Sequence, residues 1–160
     1  MELHKNFKKQ LAASRQYEDL AIEKALAYFN EEASEPYSLT RRQDSTNYKT
    51  FLSDAEISNG ENAIKLEVKT DFRSRDTGNF FIEYCQYGKP SGIAITDADY
   101  YIINDTVDYS LISVAKINRI IKRYDEVGKL RRVEFKNSDG LITKGYVFKK
   151  AVLVRFATAL

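Results

Sequence analysis

The sequence predicts a single domain of the α+β class, and three observations support this prediction. The first 35 residues contain no glycine or proline and repeat apolar side chains at helical spacing. The middle of the chain alternates apolar with polar residues, as half-buried strands do. A second helical pattern follows Ser113, and a length of 160 residues fits one domain with an ordinary core.

Helices are expected in three places. The first apolar repeat predicts one or two helices over residues 7–32, and Pro36 closes this segment. Ser113 is a good N-cap for a helix over residues 114–125. Ser91 is expected to cap one further helical turn. The residues that the helix after Ser113 is expected to bury are Val114, Ile117, Ile121 and Tyr124.

The remaining elements are expected to be strands. Their ranges are 48–57, 63–69, 79–87, 98–103, 132–136 and 141–148. The turn signal Asn59-Gly60 predicts that the first two form a hairpin, and the polar residues 137–140 join the last two. Residues 71–79 are expected to form a polar loop.

Residue counts exclude several classes of function. His4, near the first residue of the chain, is the only histidine, which argues against a Ser-His-Asp or Cys-His catalytic centre and against a zinc site of histidine and cysteine. Cys85 is the only cysteine, so no internal disulfide forms and a reducing cytoplasm is expected. The chain has no glycine-rich nucleotide-binding motif and no apolar run long enough for a membrane, and its first residues are not expected to act as a secretory signal. Catalysis would have to use carboxylates, lysines, tyrosines and a hard metal ion.

The net charge of +2 hides an uneven distribution along the chain. Residues 54–99 contain nine acids and five bases, whereas residues 113–160 contain twelve bases and four acids. An acidic centre beside a basic flank suits a metal site next to a surface that binds a polyanion. An uneven distribution without such a function would look the same.

Glu67-Val68-Lys69 is the most informative stretch. In a strand, side chains alternate between faces, so Glu67 and Lys69 project from one face together. With Asp54 thirteen residues upstream, two acids and a lysine could hold a divalent cation against a phosphodiester. The alternative is an ordinary half-buried strand, whose charged face, Lys65 included, is solvated.

The order of these elements resembles the PD-(D/E)XK nuclease superfamily: a helix, a strand with Asp at its end, a strand carrying Glu-x-Lys, then further strands and a helix. Residues 67–71, 77–84, 91–93 and 96–101 look like a phage and bacterial branch of it. The likeness is strongest over residues 63–103. It implies a restriction-endonuclease-like α/β/α core, in which helices flank a mixed central β-sheet.

The resemblance also implies roles for individual residues. Asp54 and Glu67 would chelate Mg²⁺ or Mn²⁺ together with the Val68 carbonyl. Lys69 would orient the attacking water or neutralise the developing charge.

Two assignments in this set have competitors. Ser53 stands where the family name has proline, and Asp44 competes with Asp54 as the first acid. Members often add an acid from the first helix. Glu18 is the candidate because it shares a face with apolar residues, with Glu23 a weaker choice and an exposed Glu18 the alternative.

Two groups of basic residues are candidates for DNA contact. Arg73 and Arg75 lie in the loop after the motif, and such loops often carry function. A basic stripe on the helix after Ser113 could neutralise phosphates, although a solvated helix face would look similar. Its members are Lys116, Arg119, Lys122 and Arg123. The aromatic pairs Phe80-Phe81 and Tyr100-Tyr101 are interpreted as core residues, with platforms for base stacking as the alternative.

The expected function is therefore a metal-dependent deoxyribonuclease, phage-encoded by resemblance and acting in the cytoplasm. RNA is left open as a substrate. A homodimer is expected because a small single domain often needs a second subunit to grip duplex DNA. The alternatives are a nucleic-acid-binding module without catalysis on the same fold, and a protein-interaction domain.

Overall fold

The computed structural model describes residues 2–44 and 51–160, with side chains from residue 12 onward. Its helices are α1 (Glu2–Asn30), α2 (Ser74–Thr77), α3 (Val114–Glu126) and α4 (Lys150–Val154). Its strands are β1 (Ser38–Arg42), β2 (Ala55–Ser58), β3 (Ala63–Thr70), β4 (Asn79–Gln86), β5 (Lys89–Pro90), β6 (Tyr100–Asn104), β7 (Tyr109–Ser113), β8 (Arg131–Lys136), β9 (Ile142–Lys149) and β10 (Thr158–Ala159).

Six of these strands form a mixed sheet in the order β1-β2-β3-β6-β7-β10. The two central strands, β3 and β6, run parallel, and the other neighbours run antiparallel. The predicted hairpin forms, with β2 paired to β3 from Ala55 opposite Leu66 to Ser58 opposite Ala63. The α+β class and the mixed central sheet are thereby confirmed.

Helix α1 covers one face of this sheet. Its small buried residues Ala21 and Ala25 let the helix approach closely, and they pack on Leu66 and Val68 of β3 and on Ile102 of β6. These strand residues alternate in sequence with others that point the opposite way.

A second sheet, together with α3, covers the opposite face. This sheet is antiparallel, in the order β5-β4-β9-β8. The core between the layers contains Tyr101, Ile103 and Ile112 of the six-stranded sheet, Phe80, Ile82 and Phe148 of the four-stranded sheet, and Ile117 and Ile120 of α3. Three strands of the second sheet, β4, β8 and β9, match predicted ranges, but their separation into a layer of their own was not predicted. Helices alone therefore do not flank the central sheet.

Several local predictions are confirmed. The Ser113 side chain caps α3 by accepting a hydrogen bond of 3.2 Å from the Lys116 amide. Of the four residues that α3 was expected to bury, Ile117 is fully buried, and the others are half-buried: Val114, Ile121 and Tyr124. Ile120, which was not predicted, is buried. Helix α1 begins earlier than expected, at Glu2. None of the helices in the described ranges has the length and apolar character needed to cross a membrane.

Other local predictions are wrong. The strand expected over residues 48–57 is β2, which begins only at Ala55, while residues 48–50 lie outside the described residues. The helical turn Gly92–Ala94 forms, but the Ser91 side chain does not cap it. The loop expected over residues 71–79 contains α2. Strands β1, β5, β7 and β10 and helix α4 were not predicted.

A buried ion pair fixes α4 to the β6–β7 turn. The Lys150 Nζ lies 2.6 Å from Asp105 and 2.9 Å from Asp108, and the Asp105 side chain is 3% exposed. Burial alone would raise the pKa of Asp105. The hydrogen bond from Lys150 and those from the Asp108 and Val107 amides lower this pKa below its usual range.

We predict that Lys150→Met lowers the free energy of unfolding by about 2 kcal/mol at neutral pH, because it leaves a buried carboxylate without its cation. The pKa of Asp105 is lower in the folded state than in the unfolded state. Its ionised form therefore stabilises the fold at pH values above the unfolded pKa, and this stability is lost as pH falls through the folded pKa. The difference between native and variant should therefore shrink as pH falls below about 4. Urea unfolding at a series of pH values measures it.

Lys149→Met is the matched control, because Lys149 is exposed in the adjacent position. It should change the free energy of unfolding by less than about 0.5 kcal/mol. Equal losses in the two variants would show that the ion pair contributes no specific stability.

Candidate functional site

Glu67 is a buried carboxylate in the middle of the central strand β3. Its side chain is 11% exposed, because the face of β3 that carries it is covered by the second layer of the fold. The solvated-face interpretation is therefore wrong for Glu67. It fits Lys65, whose exposed side chain pairs with Asp97 at 2.7 Å.

Lys69 provides the counter-charge for Glu67. Its Nζ lies 2.7 Å from Glu67 Oε1, as expected for side chains two residues apart on one face. Burial raises the pKa of Glu67 to about 7, the Lys69 ammonium opposes this shift, and the Asp54 carboxylate adds to it. Burial also lowers the pKa of Lys69, but the Glu67 carboxylate outweighs it, so Lys69 stays firmly protonated.

Asp54 lies immediately before β2, next to the middle of β3. Its Oδ2 accepts a hydrogen bond of 2.7 Å from the Val68 amide, and its own amide donates to the Leu66 carbonyl at 2.9 Å. The N–H and C=O of one strand residue point to the same side. The Val68 carbonyl therefore also opens towards Asp54, beyond the last β2–β3 pair at Ala55 and Leu66.

Ser53 has a structural role that its sequence position did not reveal. The Arg41 guanidinium donates to the Ser53 carbonyl at 3.0 Å and to the Ser53 hydroxyl at 2.7 Å. Ser53 is buried, so these bonds fix the backbone immediately before Asp54. Ser53 thus anchors the backbone next to Asp54 to β1.

Tyr101 is a site residue that sequence reasoning assigned only to the core. It pairs in register with Glu67 across the parallel strands, so the two side chains lie side by side. Tyr101 is fully buried, and its hydroxyl lies near the Thr96 side chain without forming a hydrogen bond of good geometry among the described residues. Burial and the Glu67 carboxylate both raise its pKa, so it remains a neutral donor. The sequence predicted that Tyr101 lies in a strand and packs in the core, but not that it lies beside Glu67.

The other candidate acids lie in different surroundings. Glu18 is half-buried on α1 and pairs with Arg42 at 3.0 Å. It is still close enough for its charge to raise the pKa of Glu67. Glu23 and Asp44 are exposed. Of the helix acids, only Glu18 is thus placed near the pair.

The basic residues proposed for DNA contact separate into two groups. Arg73 lies at the start of α2 and lines the same cleft as Lys69, whereas Arg75 is exposed on α2. The stripe of four basic residues on α3 is exposed. Helix α3 follows β7, which β6 separates from β3, and none of the four residues lines the cleft beside Lys69. Lys116 donates to the Phe156 carbonyl at 3.3 Å, and Lys122 pairs weakly with Glu126.

The donor set suits a hard divalent cation. Asp54 and Glu67 offer carboxylate oxygens, and Val68 offers a carbonyl oxygen, all ligands that Mg²⁺ and Mn²⁺ prefer. The unpartnered Tyr101 hydroxyl beside them could hold a water. In the described ranges, no group of three or more histidine, cysteine or acidic side chains is placed to hold a metal ion. A metal here would therefore rest on two acids, a carbonyl and water.

Comparison of the chain with protein-family models, with curated proteins and with solved structures finds no match.

Proposed function

We propose that this protein is a metal-dependent nuclease that hydrolyses phosphodiester bonds in DNA. The observation that supports it best is the buried Glu67 carboxylate, which pairs with the half-buried Lys69 beside Asp54. Burial of a charged pair costs free energy that an apolar pair would not, so its presence in a central strand suits a functional site.

Each residue has a definite part in this proposal. Asp54 and Glu67 would hold the cation, and Val68 would complete the protein ligands through its carbonyl. A bound Mg²⁺ or Mn²⁺ supplies polarisation of the phosphate and a more acidic water. The Lys69 ammonium would neutralise charge that develops on the phosphate. The Tyr101 hydroxyl would donate a hydrogen bond to water or phosphate at the base of the site.

A second candidate is a nucleic-acid-binding module without catalysis, and one observation favours it. Both acids already have partners within the protein: Glu67 pairs with Lys69, and Asp54 accepts a hydrogen bond from Val68. A metal would compete with these contacts. Cleavage separates the two candidates, because both predict DNA binding. A homodimer stays a prediction for either.

We predict that the native protein cleaves DNA with Mn²⁺ or Mg²⁺, and that Lys69→Ala lowers the rate at least about 100-fold. Loss of one preorganised charge that stabilises a transition state has an effect of this size. Linear, circular and branched DNA substrates, resolved on gels over time, measure the rate and the mode of cleavage. An RNA substrate in the same assay tests the alternative polymer.

Lys65→Ala is the matched control, since Lys65 lies on the same strand and face but is exposed and paired with Asp97. It should keep its rate within about threefold, as expected for a surface pair. No cleavage by the native protein on any substrate, or equal rates in both variants, would contradict catalysis at Lys69. Thermal unfolding of each variant verifies that it is folded.

Metal binding gives a prediction that does not depend on turnover. Titration calorimetry should detect Mn²⁺ binding to the native protein. Asp54→Asn and Glu67→Gln should each weaken Mn²⁺ binding by at least about tenfold, since loss of a residue that only hydrogen-bonds to a metal ligand already has an effect of this size. At 100-fold excess over its Kd, the metal should stabilise the fold by about 2.7 kcal/mol. Unchanged affinity in both variants would place the metal elsewhere.

A further inference from the structure

The two faces of the four-stranded sheet have different surroundings. Phe80 and Phe148 lie in the hydrophobic core. Side chains alternate along a strand, so Phe81 and Glu83 on β4 and Val147 on β9 point to the opposite face. This face and the loop after β3 line an open cleft of about 630 Å³, within the usual size of a ligand site.

Aromatic rings dominate the walls of this cleft. Phe81 and Phe135 meet edge to face with ring centroids 5.1 Å apart. Gly145 lies beneath Phe81, whose ring occupies the place that a Cβ at position 145 would need. Phe72 enters from the loop after β3 and is 51% exposed, while Phe135 is 46% exposed. Large rings left this open to water are surfaces on which a ligand can stack.

The charges of the cleft suit a nucleic acid. Lys69, Arg73 and Arg131 line it, and within the described ranges neither arginine makes an ion pair. Of its two acids, Asp71 accepts backbone hydrogen bonds from Arg73 at 3.0 Å and from Phe81 at 3.3 Å. Its carboxylate thus shapes the loop. Glu83 would repel a phosphate, which favours a base at its end of the cleft.

We propose that this cleft binds unpaired nucleobases of a single-stranded segment, which stack on Phe72, Phe81 and Phe135. Arg73 and Arg131 contact the adjoining phosphates. The inference rests on the proposed function, because Lys69 belongs to both the cleft and the Glu67 pair. A strand lying in the cleft would place a phosphate of its backbone at Lys69.

The rings require a base that is not paired in a duplex. Inside a double helix both faces of a base are covered by its neighbours, so a protein ring reaches a base face only in a single strand, an end or a branch. Sheets that present aromatic and basic residues bind single strands in this way. The cleft therefore restricts the substrate class to DNA with unpaired bases at the cleavage site.

The experiment measures binding without turnover. Fluorescence anisotropy with EDTA present compares a short labelled single-stranded DNA with its duplex, for the native protein and for Phe135→Ala. We expect the native protein to prefer the single strand and Phe135→Ala to bind it about tenfold more weakly, the effect of losing one stacked base. Arg131→Gln should weaken binding and lower its salt dependence.

Matched controls exist for both substitutions. Phe156 is exposed to the same extent as Phe135, at 46%, but does not line the cleft, so Phe156→Ala should bind normally. Arg132 follows Arg131 on the opposite side of β8 and pairs with Asp125 at 2.9 Å. Arg132→Gln should leave binding of the single strand within about twofold.

The outcomes separate this inference from the nuclease. Weaker binding by Phe135→Ala than by Phe156→Ala supports the cleft even if no DNA is cleaved. Equal binding by these two variants, or a preference for duplex, overturns the cleft even if Lys69-dependent cleavage is found. Tighter binding of an RNA strand of the same sequence would support the cleft and overturn DNA as its polymer.

Discussion

Glu67 is buried in the central strand β3 and pairs with the half-buried Lys69, and this pair constrains the residues around it. A carboxylate in a central strand needs a counter-charge, because an isolated buried charge is far more costly than a paired one. Lys69 satisfies this need from two residues away on the same face. Tyr101 on the parallel strand β6 lies beside Glu67, and Asp54 supplies a second negative charge just before the start of β2. Burial of the Glu67 carboxylate costs folding free energy, and the same carboxylate together with Asp54 would attract a cation.

Local patterns predicted the parts of this arrangement that depend on neighbouring residues. Period-two alternation placed Glu67 beside Lys69, the turn at Asn59-Gly60 predicted the hairpin that brings Asp54 to β3, and Ser113 marked the start of α3. Each rests on interactions within a few residues or within one hairpin. The α+β class followed from these elements, whereas the nuclease came from resemblance and remains to be tested.

The burial of Glu67 could not be predicted from its own surroundings in the sequence. It requires the second layer of the fold, where β4 pairs with β9 from Asn79 opposite Lys149 onward. Partners so distant in sequence leave no local pattern. The Arg41–Ser53 bond has the same character, because nothing near Ser53 indicates which arginine it will meet. Tertiary pairing of this kind turned an ordinary alternating strand into a buried charged site.

The pairing of β4 with β9 also affects how the chain is made. Synthesis runs from the N-terminus, so the aromatic strand Asn79–Gln86 leaves the ribosome well before Ile142–Lys149. At about 5–20 residues per second, the interval is about 3–13 seconds. During it, β4 has only the two-residue β5 to pair with. A nascent strand carrying Phe80, Phe81 and Ile82 with an open edge favours chaperone contact or association with other copies.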